Sequence, residues 1–317
     1  MGARAAWRPA PGAFSAVMAT GALSVASRAR LPTLSVVLLW LGVVELGAIV
    51  VVIALGRRRE ALDALTLAAA SGVLAVRFAI GGDRAAGSGF ALVAAAAFGF
   101  AAGLIAVCAS RRCGSRREAS GAWLLTVVAM QSMAVCIAAV APAEWSPYAA
   151  AAGEVVWTIA MVVYLILIPI VGCRMLETAA LRRFRPDSWI QMGALAISAV
   201  AAGALLRTPA PPLASALRVG CLATWITACC WVPVLTALDI RTAARRSWWA
   251  SEARWAMAFP IAMLSIATQT SGRVAAMPAI VDAGETIALV ALGVWVLVAA
   301  GVLRAAGRGM NRGEAGV

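Results

Sequence analysis

Ten stretches of about 20 mostly apolar residues, joined by connections too short to fold on their own, leave this chain almost one way to fold. They lie at 11–28, 33–56, 62–80, 88–109, 121–140, 147–173, 188–206, 214–236, 252–270 and 283–303. About 20 helical residues cross a hydrocarbon core of about 30 Å. A helix also satisfies its backbone polar groups internally, which lipid demands. The spacing predicts an all-α polytopic membrane protein, with 1–317 forming a single membrane domain. Charged residues make up 13% of the chain, about half the share in a soluble domain. An ordinary cytosolic protein and a disordered chain are thereby excluded. The net charge of +13 does not imply nucleic-acid binding, because the arginines fall in short runs between apolar stretches.

The residue types that are missing narrow the chemistry. The chain has no histidine and no lysine, so histidine general-base chemistry, a Walker A loop and a Schiff-base lysine are all excluded. The seven cysteines form no CxxC pair, and no disulfide framework or metal site is expected. No cofactor is expected, and the reading is not an enzyme. The first apolar stretch contains Pro11, Gly12 and Gly21 and runs into a second span, which argues against a cleavable signal.

Arginine placement orients the spans. The N-terminus, the connections at 57–61, 110–120, 174–187 and 237–254, and the C-terminus together carry 20 arginines. The opposite set has seven: Arg28, Arg30, Arg77, Arg84, Arg207, Arg218 and Arg273. The positive-inside rule then places both termini in the cytoplasm of a plasma-membrane protein.

Polar residues inside spans need partners or a wet cavity. Gln131, Gln191 and Gln269 fall in spans five, seven and nine. Thr20, Ser24 and Ser27 in span one follow i, i+4, i+7 and share a helical face. Gln191 and Ser198 form a second stripe in span seven, and Thr268 joins Gln269 in span nine. The odd spans therefore read as the wet ones, with Thr20, Ser24, Gln131, Gln191, Ser198, Thr268 and Gln269 as pore-lining candidates. Small and polar residues also serve dry helix–helix contacts. The alternation predicts ten transmembrane helices as five helical hairpins around a central pore. The alternative is a drug/metabolite exporter of two inverted five-helix repeats.

Among the charges within spans, Glu154, Arg77 and Arg218 all belong to the outer half. They are expected either to form an ion pair or, for Arg77 and Arg218, to attract anions to the outer mouth. Glu45, near the middle of span two on a presumed outer helix, is a further acid that could carry a coupling proton. Trp40, Trp157, Trp225, Trp231 and Trp295 lie deep and are expected to pack.

Three stretches then become specific. Trp248-Trp249, followed by Arg254 through Met263 with Phe259-Pro260 inside it and by Ala267-Thr268, resembles span nine of the tellurite-resistance/dicarboxylate transporter family. That family includes TehA-type bacterial channels, plant slow anion channels and yeast malate and sulfite carriers. Pro11 through Gly21 resembles the family's first inner helix, and Pro186 through Ser198 its seventh. The resemblance implies five hairpins around a pore, often in a homotrimer, with a phenylalanine on span nine obstructing it. The matching residue is Phe259, followed by the helix-bending Pro260. It also implies passage of small anionic solutes, C4-dicarboxylates among them, across the lipid bilayer.

Overall fold

A computed structural model describes residues 14–56, 61–110, 121–142, 145–176, 185–209, 211–243 and 254–314. Among them are ten α-helices: α1 (Ser15–Ala26), α2 (Pro32–Gly56), α3 (Ala61–Gly81), α4 (Arg84–Ser110) and α5 (Leu125–Val140), then α6 (Ser146–Leu176), α7 (Ile190–Leu205), α8 (Ala214–Ala243), α9 (Trp255–Val274) and α10 (Pro278–Glu314). Short 3-10 turns at Gly121–Leu124 and Pro186–Trp189 lead into α5 and α7. No strand occurs among the described residues. Pro11, Gly12, Trp248 and Trp249 lie outside them.

Eight helices are long and apolar enough to cross a membrane. Helix α1, apolar but 12 residues long, and α9 fall outside that set. The helices overlap the apolar stretches, with α8 and α10 extending furthest beyond them.

Contacts sort the helices into two kinds. Helix α1 packs on α3, α3 on α5, α5 on α7, α7 on α9, and α9 back on α1. Each of these also packs on the even helix that follows it: α1 on α2, α3 on α4, α5 on α6, α7 on α8 and α9 on α10. Burial follows the same division. Every residue of α7 is buried, whereas only 22% of the most apolar stretch of α2 and 17% of those of α4 and α6 are. Exposed aliphatics such as Val44, Leu92, Leu165, Val219 and Leu303 cover the even helices, as expected of surfaces that meet lipid tails.

The sequence explains why α7 can be enclosed on every side. Its residues are mainly alanine, glycine and serine, which let helix backbones approach closely in a membrane. Gly193 faces Pro260 of α9, and Gly203 faces the Thr270 methyl. Where α9 turns into α10, a β-carbon on Gly272 would stand 2.7 Å from the Val281 backbone nitrogen.

Candidate functional site

The five helices α1, α3, α5, α7 and α9 end together at one end of the bundle. There they enclose a cavity of about 690 Å³. Four arginines line it: Arg28 just after α1, Arg77 in α3, Arg207 just after α7 and Arg273 in α9. No carboxylate lines it among the described residues. All five helices point their C-terminal ends at this mouth, and each end carries about half a negative charge. Five such ends contribute about −2.5, which the four full positive charges exceed. The mouth is therefore net attractive to anions.

The arginines are held differently. Arg77 is buried, and its Nε donates to Ser24 Oγ at 3.1 Å and to Ser35 Oγ at 3.2 Å, while Nη2 donates to Ser35 Oγ at 3.0 Å. Ser24 and Ser35 each donate to the other's backbone carbonyl, at 2.6 and 2.5 Å, tying α1 to α2. Arg273 donates to Gln269 Oε1 at 3.3 Å, and Gln269 Nε2 donates to the Ala26 carbonyl at 3.1 Å. Arg207 is open to the cavity. Even so, partial desolvation by the wall, and then the nearby charge of Arg273, hold its guanidinium below the usual arginine value. Like charges face one another here, with no acid lining the cavity among the described residues.

Below the mouth lies a smaller cavity of about 40 Å³, again lined from all five helices and sharing five lining residues with the first. Along α9, Phe259, Met263, Ile266 and Thr270 follow i, i+4, i+7, i+11 and share a face. Met263 and Ile266 line the narrow part and Thr270 the wide one. Phe259, buried at 2% exposure, continues that face one turn deeper. Pro260 packs on Gly193 of α7.

The remaining residues singled out from sequence separate into groups. Gln269 lines the wide cavity and Arg77 its wall. Thr20, Ser24, Gln131, Gln191, Ser198 and Thr268 are buried, and most of their hydrogen bonds are with neighbouring helices or their own. Thr20 Oγ1 accepts from Trp295 Nε1 of α10 at 2.9 Å, and Thr268 Oγ1 from Trp225 Nε1 of α8 at 3.0 Å. The Ser198 carbonyl accepts from Trp157 Nε1 of α6 at 3.0 Å, while its hydroxyl donates back to the Ala194 carbonyl. Gln131 Nε2 donates to the Trp157 carbonyl at 3.4 Å. Arg218 is exposed on α8, away from the cavity.

The expected ion pair takes a different form. Arg77 pairs with serines, and Glu154 Oε1 accepts from the Leu213 N–H at 3.1 Å, just before α8. The fully buried pair lies at the opposite end: Arg254 Nη1 donates to both Asp239 oxygens at 2.8 Å. Glu45 of α2 hydrogen-bonds Thr20. Arg28, Arg207 and Arg273 did not stand out in the sequence, although a signal was present. With Arg77, they are the minority-side arginines at the ends of odd spans one, three, seven and nine.

Apolar helices around an axis that opens into an arginine-lined cavity define a multi-pass membrane protein of the channel and transporter class. The family model described as voltage-dependent anion channel matches residues 9–303, and the chain belongs to that family. It is the family expected from spans one, seven and nine. A comparison with curated proteins finds no match.

Proposed function

We propose that this chain passes small anions along the axis of α1, α3, α5, α7 and α9, with the arginine-lined cavity as the outer mouth. The observation that carries the reading is the convergence of Arg28, Arg77, Arg207 and Arg273 on a cavity without a lining carboxylate. Family membership supports the same direction.

The finer reading is ten spans as five hairpins. It is supported by the closed circuit of contacts among odd helices, each backed by the next even helix. Two inverted five-helix halves would not require that circuit. With the arginine-rich connections in the cytoplasm, both termini lie there and the cavity faces outward. Phe259 acts as the gate: helical spacing puts it on the same face of α9 as Met263, Ile266 and Thr270, and an aromatic group there would close a narrow conduit by displacing water. Pro260, inside α9 and packed on Gly193, holds the helix beside the gate against α7. Gln269 and Arg77 line the approach, and C4-dicarboxylates are among the anions the family resemblance implies. A homotrimer in the plasma membrane completes the reading.

The test is anion efflux from liposomes containing the purified protein and its Phe259→Ala variant. The variant is expected to raise flux of chloride, nitrate or malate at least several-fold over the parent. Equal flux from a well-folded variant would overturn the gate. A current carried by cations would overturn the function.

A further inference from the structure

Resting on the proposed conduction path, the geometry points to a second barrier in series with Phe259: a ring of Val25, Val76, Val135, Val200 and Ile266 that restricts the path independently. These five residues are common to the wide and the narrow cavity, so they mark where one becomes the other. Each comes from a different inner helix: α1, α3, α5, α7 and α9 in turn.

Exposure changes at this level. Val25, Val76 and Ile266 are half-buried against the wide cavity, while Val135 and Val200 of the same ring are already buried. One turn deeper, Ala22, Val73, Ser132, Ile197 and Met263 are all buried. Phe259 is deeper still, seven residues from Ile266 along α9, or about 10 Å at 1.5 Å per residue. A phenyl ring about 10 Å away does not account for occlusion that begins at the aliphatic ring. The ring itself does: five branched apolar side chains around an axis exclude water, and a constriction of that kind gates by dewetting.

A second feature sits just beneath. Ser132 lines the narrow cavity, and its buried hydroxyl has no hydrogen-bond partner among the described residues. An ion that passes the ring meets a free donor on the other side. With Phe259 displaced, the path conducts only while the aliphatic ring is wetted, so the ring limits the current without abolishing it.

Threonine is nearly isosteric with valine and polar, so Val135→Thr/Val200→Thr wets the ring with little change in volume. Leucine at 200 fills it further. Chloride currents are measured in planar bilayers from the full chain carrying Phe259→Ala, alone and combined with each change. The threonine pair should raise the F259A current at least threefold, and Val200→Leu should lower it by a similar factor. The threonine pair without F259A should stay closed. If F259A conducts and neither ring change alters its current, the ring is no barrier and the conduction path stands. If folded F259A/V135T/V200T, verified by its melting temperature, carries no anion current, the conduction path fails and the ring with it.

Discussion

Gly193 of α7 and Pro260 of α9 pack so closely that a β-carbon on Gly193 would stand 3.0 Å from the proline Cγ and 3.2 Å from its Cβ. Proline is stiff, and both residues lie in buried inner helices. A methyl group at 193 therefore has to push α9 rather than displace a flexible side chain. Overpacking of this kind costs about 1–3 kcal/mol. Gly193→Ala is expected to lower the melting temperature of the detergent-purified protein and Gly193→Val to lower it further. An unchanged melting temperature for both would mean that the two helices separate freely.

On the proposed path, the vestibule arginines would act on anions before any contact is made. A charged mouth raises the local concentration of the opposite charge, and salt screens the effect over about 10 Å at 0.1 M. Arg207 is open to the cavity and stands near Arg273. Arg207→Gln is expected to lower initial anion uptake by roughly threefold to tenfold at low ionic strength, and by much less at 1 M salt. Arg218→Gln, which alters an exposed residue outside the cavity, should leave uptake unchanged. Equal effects of the two substitutions would remove the special status of the mouth.

The odd helices were legible as the polar-bearing set, and the arginines as the minority-side charges. Which neighbour each polar side chain meets was not legible. Helical spacing shows that Thr20 and Ser24 share a face, but that face meets α10 and α2, through Trp295 and Ser35. A polar group at a dry helix contact and one lining a wet path satisfy the same rule in lipid, namely that it find a partner. Sequence alone does not separate them. The circuit from α1 back to α9 depends on contacts between residues more than 200 positions apart, such as Gln269 with Ala26. Only the closed ring assembles the four arginines into one cavity.

Three tryptophans repeat one arrangement. Trp157 of α6, Trp225 of α8 and Trp295 of α10 each reach from an outer helix to an inner helix other than the one preceding it: α7, α9 and α1. Trp40 of α2 makes an edge contact with Phe78 of α3, centroids 5.9 Å apart. Each outer helix in this set thus pins the next inner helix around the circuit. A hydrogen bond of this kind contributes about 1 kcal/mol net. Trp295→Phe keeps most of the ring and removes the donor to Thr20. It should lower stability by about that amount, and Trp295→Phe with Thr20→Val should cost less than the sum of the two single changes. Strict additivity in melting experiments would show that the bond is not formed.

At the end opposite the vestibule, Asp239 accepts two hydrogen bonds from Arg254 and one from the Trp189 indole at 3.3 Å. The carboxylate is 3% exposed and the guanidinium 8%. The pair joins the last turns of α8 to the start of α9, with Trp189 bringing in the turn before α7. Desolvating two charges consumes most of their attraction, so the intact pair adds little net stability. Removing one partner has a far larger effect, because the other charge stays buried and uncompensated. Asp239→Asn keeps the shape and removes the negative charge beside Arg254, and is expected to cost about 3–5 kcal/mol. Asp239→Asn with Arg254→Met, which removes both charges, should recover most of that loss. Recovery read as a regained melting temperature would establish that the defect is the unbalanced charge. A double variant as unstable as the single one would show instead that the position of α9 depends on the pair itself.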